Sequence, residues 1–393
     1  MTLPPPIDWP DAGMGQGQDL PAERRVTREN WRIYPFSRWG FQHTRELVPS
    51  RALRPSPSPR ALAVQTVTLE QLCFDDEAGQ PITWAEFERR TYCDAMIILK
   101  QGAIIHESYR NGMTPATPHH SFSVSKSFVG LLAEMLIADG ILDSAAPASL
   151  YVPEFSQTAF AAAFFRDLLD MTDGAAFDED YANPDAMVHR YSASYWSPAQ
   201  ANGGAREALL QFTQCDHPPG GGFAYRTPVA DALGWVIARA SGQRLANLFA
   251  QRLWHPAGCC DDGHILVDLA GDEIAASGLN ATARDMARLA LMVAEGDQIP
   301  SPARASIVGG GDRQLFAASR YAERSAGSYR SQWWVAHDAH SSISALGVFG
   351  QRVLIDMETG LIMVRFGSHP LASNLHTDQL HRLAMDALRR FLA

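Results

Sequence analysis

Strand-like segments at both ends of the chain, with helical segments between them, predict an α/β protein of the α+β kind: one antiparallel sheet built from both termini, flanked by helices and interrupted by a mostly helical insertion. Three observations carry this. Apolar runs at Asp94 to Leu99 and Ala103 to Tyr109 flank Lys100-Gln101-Gly102, as in a hairpin. Gln332 to Ala336, Ile343 to Phe349, Arg352 to Met357 and Leu361 to Gly367 read as further strands, the last two joined by a turn at Glu358-Thr359-Gly360. Between about 145 and 275 the spacing of apolar residues is helical, punctuated by Asp173-Gly174, Asn183-Pro184, Asn202-Gly203-Gly204 and Pro218-Pro219-Gly220-Gly221-Gly222.

In chain order, residues 1–30 are rich in Pro, Gly and charge and read as a tail, draped on the surface or disordered. Residues 31–145 form the first part of the α/β domain. Here the aromatic stretch Trp31 to Phe41 is expected to pack on the body, Pro55 to Pro59 marks a surface connection, and Leu69 to Arg90 has mixed helical character. Phe128, Leu131, Leu132, Met135 and Leu136 then recur at three-and-four spacing up to Gly140, predicting a helix whose N-terminus lies near Ser123. Residues 146–275 are the helical region, with helices at Ala230 to Ala240 and Leu245 to Leu253. Residues 276–393 return to the α/β domain, with helices at Ala281 to Glu295 and His376 to Leu392.

Composition bounds the chemistry. The chain has 393 residues, 46% hydrophobic and 19% charged, with a formal net charge of -10. That balance argues against nucleic acid, whose phosphates need clustered Lys and Arg. Five cysteines without Cys-x-x-Cys spacing suggest neither a disulfide framework nor zinc. No basic-then-apolar leader and no run of about 18 apolar residues is found, so a cytoplasmic protein that does not engage a membrane is expected.

Of 33 Lys and Arg residues, only Lys100 and Lys126 are lysines. Arginine stays protonated at any working pH, whereas a desolvated lysine can lose its proton and act as a base. Lys126 lies three residues after Ser123, on the same face of the predicted helix. Ser-x-x-Lys alone is weak, since about one match per chain of this length arises by chance. Lysine scarcity and the helix start raise its weight. Two tyrosines could relay the proton: Tyr181, in an acidic stretch, and Tyr225, after the glycine run and before a helix.

Ser123-Val124-Ser125-Lys126, Asp167 to Gly174, and Pro219-Gly220 through Tyr225 resemble, in order and spacing, the penicillin-recognising serine hydrolases of the class C β-lactamase and family VIII esterase superfamily. Glu179-Asp180-Tyr181 with Pro184, Gln332-Trp333-Trp334 followed by Gly347 to Gln351, and Trp39-Gly40-Phe41 with Leu47 to Ser50 are similar to its 6-aminohexanoate-dimer hydrolase branch. The resemblance implies a β-lactamase-like fold, no cofactor and no metal. It implies Ser123 as nucleophile, Lys126 as general base and Tyr225 as proton relay, with the amides of Ser123 and Val348 as the oxyanion hole. Tyr181, Arg226, Thr227, Trp333, Gly347 and Phe349 are expected around the substrate. Two departures bear on that substrate. Tyr225-Arg226-Thr227 keeps a small polar group where the superfamily has Asn or Ser, and Ala345-Leu346-Gly347 supplies no cation for a β-lactam carboxylate. A carboxylic ester or small amide is therefore the expected small-molecule substrate. The alternative is a penicillin-recognising binding or regulatory protein, or a weak β-lactamase or D-amino acid peptidase, that acylates with little turnover. A homodimer is left open.

His119-His120 is expected to be solvated, and His337 to His340 lacks a third metal ligand. Gly220 to Gly222 and Gly309 to Gly311 lack the frame of a phosphate loop and read as turns.

Overall fold

A computed structural model of the chain describes residues 3–197, 203–324 and 327–393. Its centre is an eight-stranded sheet in the order Ser328–Arg330, Trp333–Val335, Ile343–Gly347, Gln351–Asp356, Leu361–Gly367, Cys93–Lys100, Ala103–Tyr109, Ala63–Val64. Every pairing is antiparallel except the last, where Ala63 and Val64 run parallel to Ala103 and Ile104. The two halves of the chain join where Leu361–Gly367 pairs with Cys93–Lys100, Val364 opposite Ile97.

Both faces of this sheet are covered, so its central strands are apolar throughout instead of alternating with polar residues. The period of two still sorts the side chains. Ala95, Ile97, Leu99, Ile362 and Val364 enter the large core beneath the Val124–Ala138 and Ala283–Glu295 helices. Met96, Ile98, Leu361 and Met363 enter a second core beneath Trp84–Arg90 and Leu375–Phe391, which Cys93 joins past the irregularity in register at Gly367.

Helix bounds follow local chemistry. Thr227–Ser241 starts three residues before the expected Ala230, because Pro228 fits the first turn of a helix, and stops at Gly242 in the left-handed conformation. Leu245 to Leu253 splits into an α-helix to Phe249 and a π turn over Ala250–Trp254.

A second, four-stranded sheet, Ser50–Leu53, Gly263–Leu266, Leu279–Ala281, His119–His120, was not expected. Its strands are too short to show a period, and one lies inside the region read as helical. This sheet corrects the expectation for the paired histidines. His119 and His120 are buried, and His119 Nε2 lies 3.1 Å from Asp94 Oδ2. Residues 3–30 lie against the body: Met14 and Val26 are buried, and the Trp9 amide donates to Asn111 Oδ1. All five cysteines are unpaired. Among the described residues no helix is long and apolar enough to cross a membrane.

Candidate active site

The Val124–Ala138 helix begins beneath the end of the Ile343–Gly347 strand, and the residues at its start divide the work. Ser121 Oγ donates to the Leu279 carbonyl at 2.7 Å, Ser125 Oγ accepts from the Leu279 amide at 2.9 Å, and Ser127 Oγ donates to the Gln332 carbonyl at 2.7 Å. These hydroxyls staple the helix to its neighbours. Ser123 occupies the N-cap, yet its side chain caps nothing. Its Oγ instead receives Lys126 Nζ at 2.7 Å, which the three-residue spacing on one helix face permits.

Lys126 is 1% exposed. Beyond Ser123, its ammonium reaches the Ala276 carbonyl at 3.0 Å and Thr227 Oγ1 at 3.3 Å. Ala276 is held in turn by Asp231, which accepts from its amide and from the hydroxyls of Tyr191 and Tyr195. Burial pulls the Lys126 pKa down to about 8, with Glu179 and Asp231 offsetting part of that fall. The Tyr225 ring centroid lies 5.2 Å from Lys126 Nζ, and the ring stacks on Trp334 at 5.6 Å. Burial, with the Glu179 carboxylate adding, pushes the Tyr225 phenol well up, and its contact with the Ser123 hydroxyl pulls the other way.

Backbone geometry completes the centre. A Cβ on Gly347 would meet the Ser121 carbonyl oxygen at 2.5 Å, so only glycine lets the strand end come this close to the start of the serine helix. The approach places Val348 beside Ser123 on the wall of one cavity. Among the described residues, neither the Ser123 nor the Val348 amide donates to another group of the protein. Phe122 and Phe349, which flank these two amides, are both in the left-handed region, at φ 49 and φ 64. Their rings touch at 5.2 Å and share Phe41, packing that supports a conformation costing roughly 1–3 kcal/mol per residue.

The cavity has a volume of about 390 Å³, and Ser123, Tyr181, Tyr225, Gly347 and Val348 all line it. A larger hollow, of about 690 Å³ beside Met187 and Phe212, contains none of the reactive groups. Four expected substrate contacts sit elsewhere. Arg226 is 1% exposed and turned away, towards Asp173 Oδ2 at 3.4 Å and the Ala224 carbonyl. Thr227 lies under the floor, against Lys126. Trp333 is fully buried on Phe128, while its neighbour Trp334 lines the cavity, because adjacent strand residues face opposite ways. Phe349 supports the turn from behind.

Several residues at the site were not among the expected site residues. Glu179 is 6% exposed and accepts from the Thr227 amide at 2.5 Å, Thr227 Oγ1 at 2.7 Å and the Tyr181 hydroxyl at 3.1 Å. Its place two residues before Tyr181 was the available clue. Arg320 and Arg324 bring cations to the cavity wall from a segment without periodicity, and Asp180 brings an anion. Arg324 lies over the Trp334 ring at 5.1 Å. Among the described residues no group of three or more His, Cys, Asp or Glu is arranged to hold a metal.

The family described as Beta-lactamase matches residues 80–384. A 6-aminohexanoate-dimer hydrolase of Paenarthrobacter ureafaciens is 28% identical over 382 residues, covering 94% of this chain and 93% of that protein. A solved structure from Bacillus anthracis, described as a candidate 6-aminohexanoate-dimer hydrolase, superposes with a TM-score of 0.83 at 25% identity, covering 95% of this chain and 97% of the other. EstCE1, a hydrolase with promiscuous acyltransferase activity, shares the fold at a TM-score of 0.59 and 16% identity, over 77% of this chain and 98% of its own.

Proposed function

The chain belongs to the β-lactamase family and is a serine hydrolase, and from that premise we propose that it cleaves a carboxylic ester or small linear amide through an acyl-enzyme on Ser123. The observation that carries this reading is the 2.7 Å contact between Ser123 Oγ and a buried lysine at the wall of a cavity. Neutral Lys126 takes the Ser123 proton as Oγ attacks the carbonyl carbon. The negative charge on the carbonyl oxygen falls to the amides of Ser123 and Val348, which among the described residues donate to no backbone carbonyl. Tyr225, whose phenol burial keeps protonated, passes a proton to the departing oxygen or nitrogen. Lys126 returns the proton it took to Tyr225 and is neutral again; water then attacks the acyl carbonyl, Lys126 takes its proton and passes it to Ser123 Oγ as the carboxylic acid departs.

The charges on the wall favour one substrate shape within this class. Arg320 and Arg324 lie in the segment that packs against the Tyr225–Trp334 stack, and Asp180 lies in the Tyr181 loop. A linear amide with charged ends, such as the dimer for which two of the relatives are named, suits this distribution. Hydrolysis of p-nitrophenyl acetate, a short-chain ester series and 6-aminohexanoate dimer tests the proposal, with intact mass following the acyl adduct. Ser123→Ala is expected to abolish the adduct and to cut kcat by about 10³ or more. Retained ester turnover in that variant rejects the assignment. A persistent penicillin adduct without ester turnover favours a binding protein that acylates and stops.

A further inference from the structure

Lys126 has more neighbours than its role as a base requires, and their donor and acceptor roles can be counted. A charged ammonium carries three N–H groups, and three acceptors surround Nζ: Ser123 Oγ, Thr227 Oγ1 and the Ala276 carbonyl. To act as a base the lysine must be neutral, with two N–H groups and one lone pair, and the lone pair must face Ser123. Both N–H groups must then find acceptors at Ala276 and Thr227. A carbonyl can only accept. A threonine hydroxyl can also donate, and a donating Thr227 would occupy the lone pair that Ser123 needs.

Glu179 removes that freedom. Its Oε1 accepts the Thr227 hydroxyl proton at 2.7 Å, and its Oε2 accepts the Thr227 amide at 2.5 Å. An ionised carboxylate has no proton to donate, so the Thr227 Oγ1 lone pair is left for Lys126. The mechanism of acyl transfer makes no use of this carboxylate. We propose that Glu179 is the positioning residue for the base, fixing the direction of the Thr227 hydroxyl so that its oxygen accepts from Lys126. The proposal rests on the reading of Lys126 as base, and it deepens that reading.

The other groups around the pair are accounted for. Asp231, on the Thr227–Ser241 helix, also favours the charged lysine and acts through Ala276. Glu179 faces Tyr181 on its own loop, and its charge is felt by Tyr225, Tyr321 and Arg320. Burial raises the Glu179 carboxyl, and Lys126, Thr227 and Tyr181 each resist the rise. None of these replaces Glu179 at the Thr227 hydroxyl.

Because the chain holds only two lysines, its lysine side chains can be titrated directly. Selective ¹³Cε-lysine labelling gives one signal for Lys126 and one for Lys100, which lies at the far end of its strand and serves as reference. In Glu179→Gln the Lys126 midpoint is expected to fall by about one unit from its wild-type value, as loss of a neighbouring charge does. Thr227→Val is expected to move it in the same direction without touching a charge, and Thr227→Ser, which keeps the hydroxyl, to restore the wild-type titration. Thermal melts and the Lys100 signal identify any variant that has not folded, and Thr227→Val then stands in for Glu179→Gln. A Lys126 midpoint unchanged in both variants overturns the proposal. The readout needs no turnover: a shifted midpoint in a protein without Ser123-dependent hydrolysis rejects the reaction and keeps the role of Glu179.

Discussion

Two of the molecule's buried charge clusters behave in opposite ways. In one, Asp94 meets Arg38 at 2.6 Å, His119 at 3.1 Å, Ser368 Oγ at 2.6 Å and Asn111 Nδ2 at 3.1 Å. Burial pushes the Asp94 carboxyl up, but Arg38 and His119 outweigh it and hold it below the usual range. In the other, Lys126 faces Glu179 through Thr227, and burial wins on both sides, lowering the lysine and raising the acid. The difference lies in the choice of cation, since the Lys126 ammonium also meets an acceptor for each of its three N–H groups. An arginine fork inside a full set of hydrogen bonds locks charge in place, whereas a lysine with one reactive partner leaves its proton movable. Burial of charge is common to structure and chemistry; a titratable cation marks the chemistry.

The comparison can be broken or sharpened by experiment. The largest effect is expected from Lys126→Arg, which turns the second cluster into a copy of the first: kcat on a p-nitrophenyl ester should fall by about 10³ or more. Gly347→Ala forces the strand end off the Ser121 carbonyl, and kcat should fall by about 10², the scale of one lost oxyanion donor, with KM little changed. In the wild-type protein kcat/KM should rise with pH to a plateau above about 8, because the base works only when neutral. Below that midpoint the expected fall is about tenfold per pH unit.

Stability carries the same contrast. Lys126 titrates near 8 when folded and near 10.5 when exposed. Between these values the unfolded chain binds more protons, so the cost of burying this lysine is full below 8 and is relieved as pH rises towards 10.5. Asp94 does the reverse, stabilising above the carboxylate range and ceasing to as acid protonates it. Asp94→Asn should therefore cost about 3 kcal/mol in chemical denaturation, the scale of a broken buried pair, while the midpoint of the kcat/KM profile stays where it was. Ser125→Ala, which removes one staple to Leu279, should cost about 1 kcal/mol with the same unchanged profile.

What the sequence made readable follows from how each feature is encoded. The long central strands are continuous apolar runs and the helices around Leu132, Leu233 and Leu289 repeat a period over many residues, so their existence was plain and only their ends moved. Ser123 and Lys126 were readable because both lie on one helical turn. The His119–His120 strand was not, since two residues carry no period and its partners lie more than 140 positions away. Glu179 reaches Thr227 across 48 positions. Trp333 and Trp334 were indistinguishable as letters, and only the register of their strand decides which one meets the cavity. Arg226 illustrates the converse: a charge beside Tyr225 in the sequence can turn away from the cavity towards a buried carboxylate and backbone carbonyls.

The missing Cβ at Gly347 also divides the labour of the site. The two free amides are placed by main chain against main chain, so no rotamer has to be correct for them to converge. Asp180, Tyr181, Arg320 and Arg324, which line the cavity, hang on segments outside that contact. Changes in those segments can therefore reshape the cavity wall while the contact between Gly347 and the Ser121 carbonyl keeps its dimensions.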